Sequence, residues 1–226
     1  MTRRVALAWS GGKDSLLTLE RLRGNPELAV SALVTTFAEP WGRISMHGVR
    51  ETLAEAQAEA LGLPLIKAWL PWPCDNETYR RRFADALVPL RETGTQAVAF
   101  GDLFLGDVRA FREAQMQALG LDPLFPLWGE TTAGLARSFV DGGHRAIVVT
   151  VDAEQLSPEY LGREYDRAFL DELPAGVDPS GENGEFHTFV HAGPGFRRAV
   201  DFRTGRREIR DDRFHFLDLI PLPESQ

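Results

Sequence analysis

Apolar runs and helix-like stretches alternate four times in about 120 residues from Val5 onward, and this rhythm restricts the fold more than any single motif. Val5–Trp9 reads as a strand, and the pattern Leu16, Leu17, Leu19, Leu22 reads as a helix that stops at Gly24. Ala29–Phe37 is a second strand, and a helix from about Val49 to Leu61 ends at Gly62 and Pro64. Leu65–Leu70 and Asn76–Thr93 form the third pair, with Pro89 expected to bend or shorten the helix. Ala97–Phe100 and Val108–Leu119 form the fourth, closed by Gly120. Strand and helix in strict succession predict a parallel sheet covered on both faces, an α/β doubly wound architecture. Ligands of such sheets bind beyond the carboxyl ends of the strands. The loops Ser10–Ser15, Phe37–His47, Pro71–Asp75 and Gly101–Asp107 are expected on that edge.

From Leu121 the rhythm changes. A proline-rich passage from Pro123 to Trp128 precedes a helix at Thr132–Val140 and a strand at Ala146–Val151. A helix around Pro158–Leu173, a loop Pro174–Gly184 and two or three strands between Phe186 and Leu219 follow, with a hairpin connection expected at Thr204-Gly205-Arg206. The expected division is a first domain of residues 1–125 and a smaller C-terminal α+β domain of residues 126–226.

Composition removes several function classes. The 226 residues carry 33 acidic against 25 basic side chains, a net charge of −8, which disfavours a bulk nucleic-acid partner because phosphate neutralisation needs a basic field. Cys74 is the one cysteine, so the chain alone holds neither a disulfide nor a Cys-x-x-Cys pair. No stretch approaches 18 consecutive apolar residues, and Met1-Thr2-Arg3-Arg4 runs directly into a strand too short for a signal-peptide core. A cytoplasmic globular protein without a membrane partner is expected.

Lysine occurs only at 13 and 67 in a chain that otherwise uses arginine. Lys13 lies in the glycine-dense turn Ser10-Gly11-Gly12-Lys13-Asp14-Ser15, between the first strand and the first helix. Two glycines let backbone N–H groups approach an oxyanion, the helix start adds donors and a favourable dipole, and Lys13 adds a compact charge. Ser10 and Ser15 supply hydroxyls, and Asp14 is a candidate magnesium ligand. The mononucleotide P-loop is excluded, since Leu7 stands where that pattern needs glycine and Asp14 where it needs Ser or Thr.

Trp9-Ser10-Gly11-Gly12-Lys13-Asp14-Ser15 resembles the signature of the PP-loop ATP pyrophosphatases. Gly101-Asp102-Leu103-Phe104, Arg109, Leu119-Gly120-Leu121, Pro126-Leu127-Trp128-Gly129 and Gly181-Glu182-Asn183-Gly184-Glu185-Phe186-His187-Thr188-Phe189 follow in the order seen in the diphthine–ammonia ligase branch. The resemblance implies an adenine nucleotide α-hydrolase-like (HUP type) fold and an ATP-dependent, AMP-forming ligase using magnesium. Such an enzyme adenylates a carboxylate acceptor and amidates it with ammonia. In that branch the acceptor is a modified histidine of translation elongation factor two; a bacterial chain needs another carboxylate. Ser10, Gly11, Gly12, Lys13, Asp14, Ser15, His47, Gly101 and Asp102 are then expected at ATP. Lys13, Asp14, Glu182 and Glu185 are expected to carry the catalysis. Asn183, Gly184, His187, Thr188 and Arg109 are expected at the acceptor. Asn183 and His187 depart from the branch's usual Gly and Glu, so they bear on the acceptor's identity.

Read from the residues alone, several roles stay open. Glu182 and Glu185 fit orientation of ammonia, base chemistry, acceptor positioning or a solvated strand entry. His47 fits nucleotide contact or helix capping, and Asp102 fits metal or nucleotide binding or a cap. His187 and His191 with Glu185 lack the spacing of a zinc site. The alternatives to the ligase are a PP-loop tRNA-modifying enzyme and a non-catalytic ATP-binding regulator. A homodimer is compatible with the sequence, which does not fix the oligomeric state, and no glutaminase segment is visible.

Overall fold

The computed structural model describes residues 2–222; Met1 and residues 223–226, inside the domain bounds expected above, lie outside it. The chain divides into two compact units. One consists of Met1–Ser10, Asp14–Ser45 and Leu63–Gly129, the other of Gly11–Lys13, Met46–Gly62 and Glu130–Gln226.

The first unit is built on β1 (Arg3–Ala8), β2 (Leu28–Ala38), β4 (Leu65–Leu70), β5 (Ala97–Ala99) and β6 (Asp122–Leu124). These five strands are parallel, in the order β4-β2-β1-β5-β6. A two-residue β3 (Arg43–Ile44) pairs antiparallel with the last residues of β2, beyond the point where β1 stops. The helices are α1 (Lys13–Arg23), α3 (Asn76–Glu92) and α4 (Gly106–Ala118). Asp75 caps α3 by accepting from the Thr78 N–H at 2.7 Å. Pro89 lies in the last turn of α3, so the helix still runs to Glu92. The alternating apolar faces meet in a core of Ala6, Val34, Phe83, Leu87, Val98, Phe100 and Met116, all nearly or wholly excluded from water.

Strand order fixes where a ligand belongs. From β1 the chain moves to β2 and β4 on one side, then returns to β5 and β6 on the other. The reversal lies between β1 and β5, the position beyond whose carboxyl ends ligands of such sheets bind.

β6 overlaps the start of the proline-rich passage Pro123 to Trp128, which was not read as a strand from sequence. It pairs with β5 through Ala97↔Asp122, Val98↔Pro123 and Ala99↔Leu124. It is the edge strand, where a residue without an N–H is tolerated.

The second unit holds a four-stranded antiparallel sheet in the order β8 (Phe186–Ala192), β7 (Arg145–Asp152), β10 (Phe214–Pro221) and β9 (Phe202–Arg210). Its helices are α2 (Glu51–Leu61), α5 (Thr132–Asp141) and α6 (Arg167–Glu172). Gly62 closes α2 in the left-handed conformation, φ 69°, as its place after Leu61 predicts.

Two expectations are corrected here. The helix read over Pro158–Leu173 breaks into a short 3-10 turn at Pro158–Tyr160 and α6. Between them Gly162 donates to Val148 O at 2.9 Å, Val148 N to Arg163 O at 2.9 Å, and Tyr165 N to Ala146 O at 2.7 Å. These backbone groups thus pair with β7 and cannot serve a helix. The hairpin expected at Thr204-Gly205-Arg206 is strand interior, within β9. A Cβ on Gly205 stands only 3.0 Å from Asp218 Oδ2, so the glycine marks close packing rather than a turn. The reversal comes at 210–213, where Asp211 and Asp212 take φ 54° and 52° and Arg213 N donates to Arg210 O at 3.1 Å. Two successive positive φ values are what a two-residue hairpin requires, and Asp tolerates them better than most residues.

Candidate functional site

In the first unit, the turn after β1 is closed by its own serines. Ser15 Oγ accepts from the Ser10 N–H at 3.1 Å and lies 2.9 Å from Ser10 Oγ. Thr18 Oγ1 donates to Asp14 O at 2.7 Å inside α1. Gly101, at the end of β5, comes close to this start of α1: a Cβ there lies 3.1 Å from Thr18 Oγ1 and 3.3 Å from the Asp14 carbonyl. A side chain at 101 would crowd the start of α1, so glycine favours this approach of the turns after β1 and β5 at the switch point.

Asp102 follows Gly101. Burial raises its carboxyl above the usual carboxylate range, opposed by Arg112 and reinforced by the nearby charge of Asp14. Its Oδ2 stands 3.9 Å from Arg112 Nε, and these two buried atoms make no hydrogen bond. Arg112 instead donates to Tyr79 Oη at 2.5 Å and stacks 5.0 Å from the Phe100 ring. Two mutually repelling carboxylates, Asp14 and Asp102, suit a divalent cation, which magnesium sites satisfy with one or two carboxylates plus phosphate oxygens. Among the described residues no group of three or more His, Cys, Asp or Glu forms a self-sufficient metal site. Arg109 sits elsewhere on α4, 4.6 Å over Trp128, 4.8 Å over Phe125 and 2.7 Å from Glu113.

In the second unit, Lys13 is 3% exposed. Its backbone N–H donates to Thr188 Oγ1 at 3.1 Å, and its ammonium donates to Ser180 O. The ammonium also faces the rings of Tyr165 and Phe186, 5.7 Å from each centroid. Thr188 serves a second residue through its main chain, since its carbonyl lies 3.1 Å from His47 Nδ1. A carbonyl only accepts, so Nδ1 carries the proton and Nε2 of His47 carries the lone pair. The His47 ring packs on His187, centroids 4.6 Å apart and planes inclined 34°. Loss of hydration holds His47 down to about 4, against the Thr188 hydrogen bond and with a smaller push from Lys13. The same loss of hydration, His47 and Lys13 hold His187 well below its ordinary range. Both imidazoles are therefore neutral at pH 7.

Glu185 is 3% exposed and both of its oxygens are engaged. Oε1 accepts from Asp178 N and Asn183 Nδ2, and Oε2 accepts from Asn183 N, each at 3.0 Å. It closes the 178–185 loop, whose Ser180 carbonyl receives the Lys13 ammonium. Asp178 Oδ1 accepts from Ser180 N at 2.6 Å and Tyr165 Oη donates to Pro179 O at 2.7 Å, fixing the same loop. Glu182 and Gly184 lie half-buried on that loop. Gln57 was not singled out from sequence. It is fully buried on α2, donating to Gly11 O at 3.0 Å and Val190 O at 2.6 Å, while Val190 N also reaches Gly11 O at 2.9 Å. A glutamine on the stripe Leu53, Ala54, Ala58, Leu61 was the readable signal, because a polar group on an apolar helix face needs a partner.

A parallel sheet whose switch point lies beside a Ser-Gly-Gly-Lys-Asp-Ser turn defines a PP-loop type α/β protein. Two family models match almost end to end: the diphthamide synthase N-terminal domain over residues 3–123 and the diphthamide synthase C-terminal domain over residues 131–218. The chain belongs to the diphthamide synthase family. It is similar to the diphthine–ammonia ligase of Homo sapiens, 26% identical over 219 residues that cover 87% of this chain and 82% of that one. The diphthine–ammonia ligase of Danio rerio is 28% identical over 229 residues, covering 92% and 90%, and that of Rattus norvegicus 27% over 227 residues, covering 91% and 85%. No helix among the described residues is long and apolar enough to cross a membrane.

Proposed function

We propose that the protein is an ATP-dependent, AMP-forming ligase of the cytoplasm that adenylates a carboxylate and converts it to an amide with ammonia. The reading is carried by the serine-closed glycine turn at the sheet's switch point, with Gly101 and Asp102 following β5. Residues 1–125 hold the nucleotide in this reading, and residues 126–226 hold the acceptor. Ser10, Gly11, Gly12, Asp14 and Ser15 receive the phosphates through backbone N–H groups and hydroxyls. Lys13 supplies the positive charge against which pyrophosphate departs. Asp14 and Asp102 hold magnesium, which when bound neutralises phosphate charge.

The bond order follows from the products. An acceptor carboxylate oxygen bonds to the α-phosphorus as the α–β bridge breaks, releasing pyrophosphate. Ammonia then bonds to the acyl carbon, AMP leaves with the former carboxylate oxygen, and the nitrogen sheds a proton. Placement in line does most of the work in both steps. Glu185 holds the 178–185 loop, and Glu182, Asn183, Gly184 and Thr188 present that loop and the strand after it to the acceptor. Arg109, with its fork held over Phe125 and Trp128, is a remote acceptor contact.

The test is product identity. ATP, magnesium and ammonium are supplied with candidate carboxylic acids or a cell extract, to wild type and to Lys13→Ala. The expected result is AMP and pyrophosphate in equal amounts, stimulated by acceptor and reduced at least about a hundredfold in the variant. ADP as product overturns the mechanism. ATP binding without cleavage under every acceptor assigns a binding regulator instead.

A further inference from the structure

His47 and His187 are 140 positions apart in sequence and face to face in the fold. The charge of Lys13 acts on both rings, and its backbone N–H is tied to Thr188, the residue after His187. What such a cluster binds follows from which charges it can satisfy.

A cationic ligand group is disfavoured at this pair. The motif's buried carboxylate, Glu185, has its oxygens taken by Asp178 N, Asn183 N and Asn183 Nδ2. The two aromatic faces that would receive a cation, Tyr165 and Phe186, already face the Lys13 ammonium at 5.7 Å. That ammonium also repels further positive charge. An oxyanion meets the opposite conditions. It is attracted by Lys13, and it can be met by imidazole N–H groups once these take up a proton.

The tautomer shows where the proton goes. His47 Nδ1–H is committed to the Thr188 carbonyl, so protonation occurs at Nε2, the nitrogen left with a lone pair. Without a ligand, that proton is opposed by lost hydration and by Lys13. An anion offsets both at once. The pair is therefore neutral when empty and charged when filled.

We infer that His47 and His187 form an anion seat for the acceptor, and that the acceptor is an acid presenting an oxyanion, not an ammonium, to this pair. The inference rests on the ligase reading for the word acceptor, but the seat itself does not require turnover. Because the seat charges on filling, binding is coupled to proton uptake. Its affinity strengthens as pH falls, by up to about tenfold per unit where one whole proton is taken up. Anion binding to the backbone donors of the glycine turn lacks this signature.

The experiment is calorimetric titration with glutarate and, separately, γ-butyrobetaine, a betaine that carries a quaternary ammonium where glutarate has its second carboxylate. It is run between pH 5 and pH 7 in pairs of buffers with different ionisation heats, on wild type, His47→Gln and His187→Gln. Once the protons that glutarate itself releases on binding as the dianion are subtracted, wild type is expected to bind it with uptake rising toward about one proton per molecule as pH falls. Each variant is expected to lose that uptake and at least about tenfold in affinity, with betaine binding at least about tenfold more weakly than glutarate. Long-range imidazole nitrogen NMR of wild type, with and without glutarate, reads the same protonation at His47 Nε2 and does not depend on variants folding. Absence of uptake, uptake unchanged in His187→Gln, or betaine bound as tightly as glutarate overturns the inference. Proton-coupled binding with no AMP formed from any acceptor keeps the seat and removes the ligase; AMP formation without proton-coupled binding does the reverse.

Discussion

Replacing Glu185 by Gln separates a carboxylate that holds a loop from one that moves protons. The side chain keeps its shape, yet three N–H donors converge on it and only one oxygen remains to accept them. In the better orientation the amide oxygen keeps Asp178 N and Asn183 Nδ2, and the amide nitrogen confronts Asn183 N. One hydrogen bond to a charged group disappears, worth about 1.5–3 kcal/mol, and the remaining two weaken because a neutral acceptor replaces an ionised one. The sum is about 2–4 kcal/mol at a site 3% exposed, where water offers little compensation. For a chain of this length, that corresponds to a fall in Tm of roughly 5–15 °C. Thermal denaturation followed by circular dichroism measures it directly. The loosened loop also carries Ser180, so the Lys13 ammonium loses its fixed acceptor and AMP formation falls in parallel. A Glu185→Gln protein with wild-type Tm refutes the reasoning. If that protein is also inactive, the carboxylate acts on the reaction itself.

Two further perturbations test the second unit. Gln57→Leu keeps volume but strips the donor shared by Gly11 O and Val190 O; a destabilisation of about 1–3 kcal/mol is expected in urea titrations, and a change below 0.5 kcal/mol contradicts the assignment. Asp152 is held down to about 2, chiefly by its paired hydrogen bonds from Arg213 at 2.7 and 2.6 Å. A depressed folded-state pKa contributes stability that is complete above the unfolded value near 3.8 and is lost as pH falls through about 2. The urea midpoint of Arg213→Ala should thus lie below wild type at pH 6 and converge with it near pH 2. A gap that persists unchanged at pH 2 assigns the arginine's contribution to packing instead.

Legibility from sequence followed how local the cause was. Where a strand or helix is specified by its own periodicity and punctuation, as in β4, α2 and its Gly62 cap, residue pattern and fold agree closely. The 158–173 segment misled because its helical composition competes with an open side of β7, and the backbone of Gly162, Arg163 and Tyr165 pairs there instead. Gly205 misled because glycine also marks close packing, which depends on a partner strand that sequence order does not reveal. The same division holds at the site. The Ser10–Ser15 turn was visible because strand, glycines and helix are contiguous. The His47–His187 stack was not, because it depends on the Thr188 carbonyl reaching His47 across a long sequence separation. His187 is expected at the acceptor and departs from a related pattern; its contact with His47 gives that departure a physical meaning.

The central claim, attack of an acceptor carboxylate on the α-phosphate, is tested most directly by exchange of labelled pyrophosphate into ATP. The protein, ATP, magnesium and acceptor are incubated without ammonia, so that an acyl-adenylate, once formed, can only return. Label is predicted to enter ATP only when acceptor is present, to be lost in Lys13→Ala, and to fall when ammonium drains the adenylate forward. Amide formation with no acceptor-dependent exchange under these conditions, or release of ADP in place of AMP, contradicts the account.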